Sequence, residues 1–329
     1  MMYKNYKKTR PPYGFNFFDP MMTENFEKIV SKIQAIFKKE GYKGVIPSTI
    51  DFPETFDEYE NYNTFQLRDS LGEDLYMRSD VTAQVIKGVT NLVDHDNLSR
   101  GEHKFYYIVP VFHDIRKSYP RYREVYQAGA ESIGMSAEYA VPELIAIADN
   151  LLTQVFDLSY EMVVGDIRIF QYVQSFCEEN ISDIAESKDV PSLTEIFLAR
   201  GFSHEISQDL SRLLLIAPNY EEWLVQSDAL IANISDILLK KFLQDLVLLL
   251  DPLINMIQLL EKRGIPVRFD PLLFRKVDYY TGFVFEGYVE NLSYAPLRGG
   301  VYDGLVEKYS KESLPASGFS IDISSLIIN

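Results

Sequence analysis

The period of apolar positions changes several times along the chain, and each change marks an element. Met22, Phe26, Ile29, Val30, Ile33, Ile36 and Phe37 recur at helical spacing over residues 22–40, which predicts an amphipathic helix ended by Gly41 as a C-cap. A short strand follows and stops at Pro47, and the polar, acidic residues 51–73 read as a long loop or arm. Asp74–Arg78 reads as a strand, and Asp80 is placed to cap a helix carrying Val81, Val85, Ile86 and Val89. Two β-rich runs, Lys104–Phe112 and Tyr122–Ser132, flank the polar segment His113–Arg121, predicting an antiparallel pair with a projecting loop. A helix pattern over Glu138–Leu152 and a strand at Glu161–Val164 come next.

From about residue 168 to 262 the pattern is almost wholly helical, with runs such as Ile237–Leu250 and Leu253–Leu260. Strand patterns return at Val267–Asp270, Phe283–Tyr288 and Gly318–Ile323. Sheet, helical interlude and sheet again predict an α+β fold, with a core of residues 1–167 and 263–329 and a helical insertion at 168–262.

Composition narrows the function. The 329 residues are 47% hydrophobic, enough for one large domain or two unequal ones. With 22 Tyr and 21 Phe against one Trp, the core is expected to be sheet-heavy with aromatic pockets. A net charge of −16 repels phosphate backbones, so nucleic acid is not the default partner. Cys177 is the sole cysteine, which rules out an intrachain disulfide and a cysteine-based zinc site and fits a reducing cytoplasm. His95, His103, His113 and His204 lack metal-ligand spacing, so neither metal nor cofactor is expected. The basic, aromatic N-terminus lacks the apolar stretch of a secretory signal, and no run is long enough to span a membrane.

Three segments carry candidate chemistry. In RYREVYQAGAESIG (Arg121–Gly134), strand alternation puts Gln127, Gly129 and Glu131 on one face, where the glycine would leave a floor open for a ligand. The plainer reading is the solvated face of an edge strand. In FRKVDYYTGFVFEGYV (Phe274–Val289), Arg275 and Asp278 adjoin the Tyr279–Tyr280 pair, although paired tyrosines are more often packing. In LRGGVYDGL (Leu297–Leu305), Gly299, Gly300 and Gly304 suggest a tight turn where backbone approaches a ligand closely.

Together with YMRSDVTAQVIKGV (Tyr76–Val89) and GYKGVIP (Gly41–Pro47), these segments resemble histidyl-tRNA synthetase over essentially the whole chain. The resemblance implies a class II synthetase-like antiparallel sheet flanked by helices, dimerising through motif 1. It also implies a histidine pocket. Asp80 (where the family has glutamate), Thr82 and Gln127 would hold the α-ammonium, Glu131 and Tyr280 the imidazole, with Tyr279 beside them. Arg275 would face the carboxylate. An imidazole needs a partner at each nitrogen, because burying one unpaired is costly.

The ATP side of the pattern breaks. Developing phosphate charge needs fixed cations, and the family's motif 2 arginine and glutamate align with His113 and Ile115. Motif 3 ends in GFSIDISSL, where Asp322, Ser324 and Ser325 replace the arginine segment. Arg116 and Arg275 remain. No anticodon-binding domain follows motif 3, so tRNA is not expected as a partner.

A kept amino-acid pocket with degraded ATP positions resembles the regulatory subunits of ATP phosphoribosyltransferase. That resemblance implies a non-catalytic partner, in a hetero-octamer, for the short catalytic subunit in histidine biosynthesis, with feedback by L-histidine. A histidine-dependent ATP-using ligase, a sensing module for another partner, and a ligase for a different amino acid are the alternatives.

Overall fold

A computed structural model describes residues 11–59, 64–92, 101–114, 122–217, 219–274, 279–310 and 313–328. Its first helix, α1 (Pro20–Lys39), starts with Pro20 at a position needing no N–H and with Asp19 accepting from Met22 N at 2.8 Å. The helix ends at Glu40, and Gly41 takes the left-handed turn at φ +85°. The α1 stripe buries Ile33 and Phe37, and Phe37 stacks on Tyr106 at 5.1 Å. Burying such a ring is worth about 1.5–3 kcal/mol, so this contact outweighs the caps in docking the helix.

Strands β1 (Lys43–Gly44), β5 (His103–Phe112), β6 (Glu124–Ile133), β7 (Tyr160–Asp166), β8 (Val267–Phe269), β9 (Phe283–Val289), β10 (Leu297–Val301) and β11 (Ala316–Asp322) form one sheet in the order β1-β5-β6-β11-β10-β9-β7-β8. The pairs β1–β5 and β7–β8 are parallel and the others antiparallel. Six of the strands thus lie in one continuous antiparallel run. A small sheet of β2 (Ile50–Asp51), β4 (Asp74–Met77) and β3 (Gln66–Arg68) stands apart, with a short 3-10 segment at Pro53–Tyr59. Residues 51–73 are therefore more than a loop: β3 and β4 pair around the Asp69–Gly72 turn, which Asp69 closes by accepting from Leu71 N at 2.8 Å.

One face of the large sheet packs on α1 and on α3 (Ala137–Asn150), the latter extended by a π turn at Leu151–Val155. The other face is covered at one end by α2 (Thr82–Leu92) and α10 (Asp303–Tyr309). Between β7 and β8 run α4 (Ile167–Cys177), α5 (Ser182–Ser187), α6 (Val190–Ala199), α7 (His204–Ile216), α8 (Tyr220–Asn233) and α9 (Ile237–Lys262). These helices share an aromatic cluster in which Phe176 stacks on Phe242 at 3.9 Å, with Phe197 and Phe202 against them. The last helix, α11 (Ile323–Ile328), follows β11 directly.

Two further expectations change. The runs split around Pro252 are one helix, because Leu246, Leu250, Leu253 and Ile257 form one buried stripe through it that outweighs the missing N–H. The LRGG glycines are not a turn: Gly299 and Gly300 lie within β10, hydrogen-bonded on both edges. Among the described residues, no helix is long and apolar enough to cross a membrane.

Candidate functional site

The antiparallel register fixes which side chains share the face under α2. Glu131 on β6 lies opposite Phe105 on β5 and Gly318 on β11, and Gly318 lies opposite Gly300 on β10. Two residues back, Gly129 pairs with Tyr107 and Ser320, and Ser320 with Arg298. One step further, Gln127 pairs with Val109 and Asp322. Because β6 lies between β5 and β11, it is no edge strand, and Glu131 is only 1% exposed.

The glycines here make room for side chains from elsewhere. A Cβ on Gly318 would overlap the Glu131 carboxylate, one on Gly129 the Tyr107 ring, and one on Gly300 would come within 2.6 Å of the Tyr280 ring. The floor at Gly129 is thus occupied by Tyr107, which corrects the expectation of an open floor.

The carboxylate of Glu131 is held at both oxygens. Thr82 Oγ1 donates to Oε1 at 2.9 Å, and the Tyr302 hydroxyl donates to Oε2. Burial pushes the Glu131 carboxyl up to about 8, and the nearby Asp80 charge adds to that rise against the two hydrogen bonds. Burial followed by the Glu131 charge also raises the hydroxyls of Tyr107 and Tyr302, so both stay protonated and can donate. Asp80 accepts from Thr82 N at 2.7 Å and so orients the start of α2. The buried Arg78 anchors that corner, donating to the carbonyls of Pro47 (2.7 Å) and Pro110 (2.5 Å). Gln84 donates to Ser48 O at 2.9 Å and Lys87 pairs with Asp51 at 2.7 Å, fastening α2 to the β1–β2 connection.

The structure therefore brings Asp80, Thr82 and Glu131 together, with Gln127 on the same face. Gln127 Oε1 is buried without a hydrogen-bond partner among the described residues, an acceptor suited to an ammonium donor. Tyr279 and Tyr280 lie beside them, 4.6 Å apart, and Tyr279 meets Tyr302 edge-on at 5.8 Å. Arg275, Asp278, Ile115 and Arg116 lie outside the described residues. The tyrosine that donates to Glu131 here is Tyr302, which sequence reasoning had read only as part of a glycine turn. Tyr107 was likewise passed over as an ordinary strand aromatic. The signal for Tyr107 was the register, which sets it opposite Gly129, whereas Tyr302 follows β10 and reaches Glu131 over Gly318.

The other half of the same face carries the altered ATP positions. The His113 ring is 7% exposed, and burial, then the Arg298 charge, lowers its pKa to about 4, so at neutral pH it brings no positive charge. Ser324 Oγ accepts from Tyr126 N at 2.8 Å. Ser325 N donates to Asp322 Oδ1 at 2.9 Å, and the Ser325 hydroxyl bonds to Asp322 and Tyr294. Burial raises the pKa of Asp322, a carboxyl 7% exposed. Arg298 lies 3.9 Å from Glu286, which also accepts from the Tyr288 hydroxyl. Apart from Arg298, this part of the face thus presents carboxylates, hydroxyls and a neutral imidazole, whereas a triphosphate calls for several fixed cations. Among the described residues, no group of three or more His, Cys, Asp and Glu side chains is placed to hold a metal ion.

The chain is similar to several known proteins. A regulatory subunit of ATP phosphoribosyltransferase from Leptospira interrogans is 27% identical, the match covering 96% of this chain and 92% of that one. One from Caldanaerobacter subterraneus is 26% identical over 96% of this chain and 82% of its own. The crystal structure of an ATP phosphoribosyltransferase regulatory subunit/histidyl-tRNA synthetase from Bacillus halodurans superposes with a TM-score of 0.78 at 21% identity. That superposition covers 97% of this chain and 83% of the other, and it shows the class II synthetase-like α+β fold. The family model described as histidyl-tRNA synthetase matches residues 14–326. With its match running from residue 14, ahead of α1, into α11, the chain belongs to the histidyl-tRNA synthetase family.

Proposed function

We propose that this chain is a non-catalytic regulatory subunit of ATP phosphoribosyltransferase that binds L-histidine on the sheet face under α2. The observation that carries the reading is the Glu131 carboxyl, buried at the floor of that face and held between Thr82 and Tyr302. Each of its oxygens has a further lone pair beside the hydroxyl it already accepts from, and an imidazole N–H is a matching donor. Asp80, Thr82 and Gln127 take the α-ammonium, Tyr280 shares the imidazole with Glu131, and Arg275 takes the carboxylate. The names of the relatives supply the complex. His113, Ser324 and Ser325 argue against ATP activation on the same chain.

In this reading, residues 168–262 are an insertion in a core formed by 1–167 and 263–329. The chain pairs with itself through the β1 region and joins a short catalytic subunit in a cytoplasmic hetero-octamer. Feedback then requires histidine to bind two states of that assembly unequally, by about 1–3 kcal/mol. Equal binding would shift nothing.

Calorimetric titration of L-histidine into the wild type and Glu131→Ala tests the pocket. Saturable binding that the variant loses supports it, and a folded wild type that takes no heat removes it. Mixing with a short catalytic subunit should raise phosphoribosyltransferase activity. Histidine-dependent ATP–pyrophosphate exchange by the isolated chain would instead make it a ligase.

A further inference from the structure

The segment that carries Tyr279 and Tyr280 is joined at both flanks to the helical region. On the first flank, Asp270 follows β8, with its N–H donating to Val164 O at 2.9 Å. Its carboxylate accepts from Leu272 N at 3.2 Å, so it caps the turn leading toward the tyrosines. That carboxylate is only 6% exposed, and Lys188 Nζ reaches it from the α5–α6 junction at 2.7 and 2.9 Å. Arg268 is a more distant cation at 3.9 Å. Lys188 itself sits in the left-handed region at φ +54°, a strained backbone for a lysine. Four residues on, Phe274 stacks on Phe170 of α4, with ring centroids 4.4 Å apart and planes 12° from parallel.

The second flank is fastened to the start of the same helix. Ile167 N donates to Gly282 O at 3.0 Å, and the Arg168 guanidinium lies over the Phe283 ring at 5.6 Å. Asp166, fully buried, caps α4 by accepting from Arg168 N at 3.0 Å and pairs with the Arg168 side chain. The segment is also fastened to β10 and α10, where Thr281 N donates to Val301 O at 2.8 Å and Thr281 Oγ1 accepts from Asp303 N at 3.1 Å, but its first flank is held from the helical side by Lys188 and Phe170.

We propose that Lys188 and Asp270 are positioning residues for the pocket: their ion pair sets the placement of the Tyr279–Tyr280 segment, so that the helical region controls ligand affinity from outside the site. The assignment rests on the histidine reading only for the ligand involved. A largely buried carboxylate that loses its ammonium partner must find water or another donor, and the turn it caps is the part free to move. A shift of the helices, by a partner or by substitution, reaches the tyrosines through this pair and the Phe170–Phe274 stack.

The test uses the full chain with Lys188→Met, Lys188→Arg, Asp270→Asn and the double variant Lys188→Met/Asp270→Asn, read by amide hydrogen exchange and by histidine calorimetry. Lys188→Met should speed exchange at 271–274 and 279–282 by about tenfold, leaving β5 and β6 unchanged. It should weaken histidine binding by about threefold to tenfold. Lys188→Arg should restore both, and the double variant should be no worse than Asp270→Asn alone. Unchanged exchange at those flanks, or an equal rise in β5 and β6, overturns the proposal. Should the wild type bind no histidine, the functional reading fails, while the exchange pattern still decides the positioning role.

Discussion

Tyr302 and Glu131 are 171 residues apart in the chain, yet the phenol donates directly to the carboxylate in a buried contact. The relationship exists because β10 and β11 cross the sheet with glycines at the positions facing Glu131, leaving the space that both side chains fill.

Removing that donor should be felt in stability. Tyr302→Phe keeps the ring and deletes the hydroxyl, leaving one carboxylate oxygen unpartnered, at a cost of about 1–3 kcal/mol. Urea unfolding should show the larger loss above pH 8, where more of Glu131 is ionised. Equal midpoints for variant and wild type at both pH values would contradict the geometry.

The pH dependence of Glu131 has a definite sign. Its folded pKa of about 8 lies above its ordinary value of 4.5, so between those values the folded state holds a proton that the unfolded chain releases. The contribution is fully present below pH 4.5 and is lost as pH rises toward 8, with a slope of up to about 1.4 kcal/mol per pH unit. Glu131→Gln, which cannot titrate, should flatten the stability curve over that window, as read by denaturant unfolding at stepped pH. A curve as steep as that of the wild type would remove the assignment.

His113 acts in the opposite direction. Its folded pKa of about 4 lies below the ordinary 6.5, so its contribution is present above pH 6.5 and is lost as pH falls toward 4. His113→Phe should therefore soften acid unfolding in that interval while leaving the alkaline side alone. Thermal melts from pH 4 to 8 would show it, and an unchanged acid limb would count against a buried neutral ring.

Much of the sheet was legible because its strands alternate or run apolar within clear boundaries. Lys104–Phe112 and Tyr122–Ser132 fall on β5 and β6, and the α1 stripe fits the buried Ile33 and Phe37. β10 was not legible, since Gly299 and Gly300 have the local signature of a turn and become a strand only through two neighbours distant in sequence. At Pro252 the helix continues because the proline's local cost is outweighed by packing on both sides. Within the site, Gln127, Gly129 and Glu131 could be placed on one face by alternation alone. Which residues reach that face from elsewhere depended on long-range pairing, and so Tyr107 on β5 and Tyr302 after β10 were invisible to it.

A methyl group at Gly318 tests the register most directly. Gly318→Ala places a Cβ into the Glu131 carboxylate and 2.6 Å from Ala130 O, a backbone atom that cannot swing aside. Overpacking of this kind costs about 1–3 kcal/mol, and histidine binding should weaken beyond detection by calorimetry. Wild-type affinity in Gly318→Ala would mean that ligand and carboxylate do not share this space.

The glycine rows also determine how the site can and cannot adapt. With Tyr107 bedded on Gly129 and Tyr280 on Gly300, the depth of the hollow is gauged by main chain, which has no rotamers to change. A side chain at Gly129 or Gly300 is closed off, since an added Cβ would lie within 2.7 Å of a backbone oxygen at either position. Drift in which ligand is accepted must therefore come through the side chains that line the face, and among these the Tyr279–Tyr280 pair belongs to the segment that leads on to the helices.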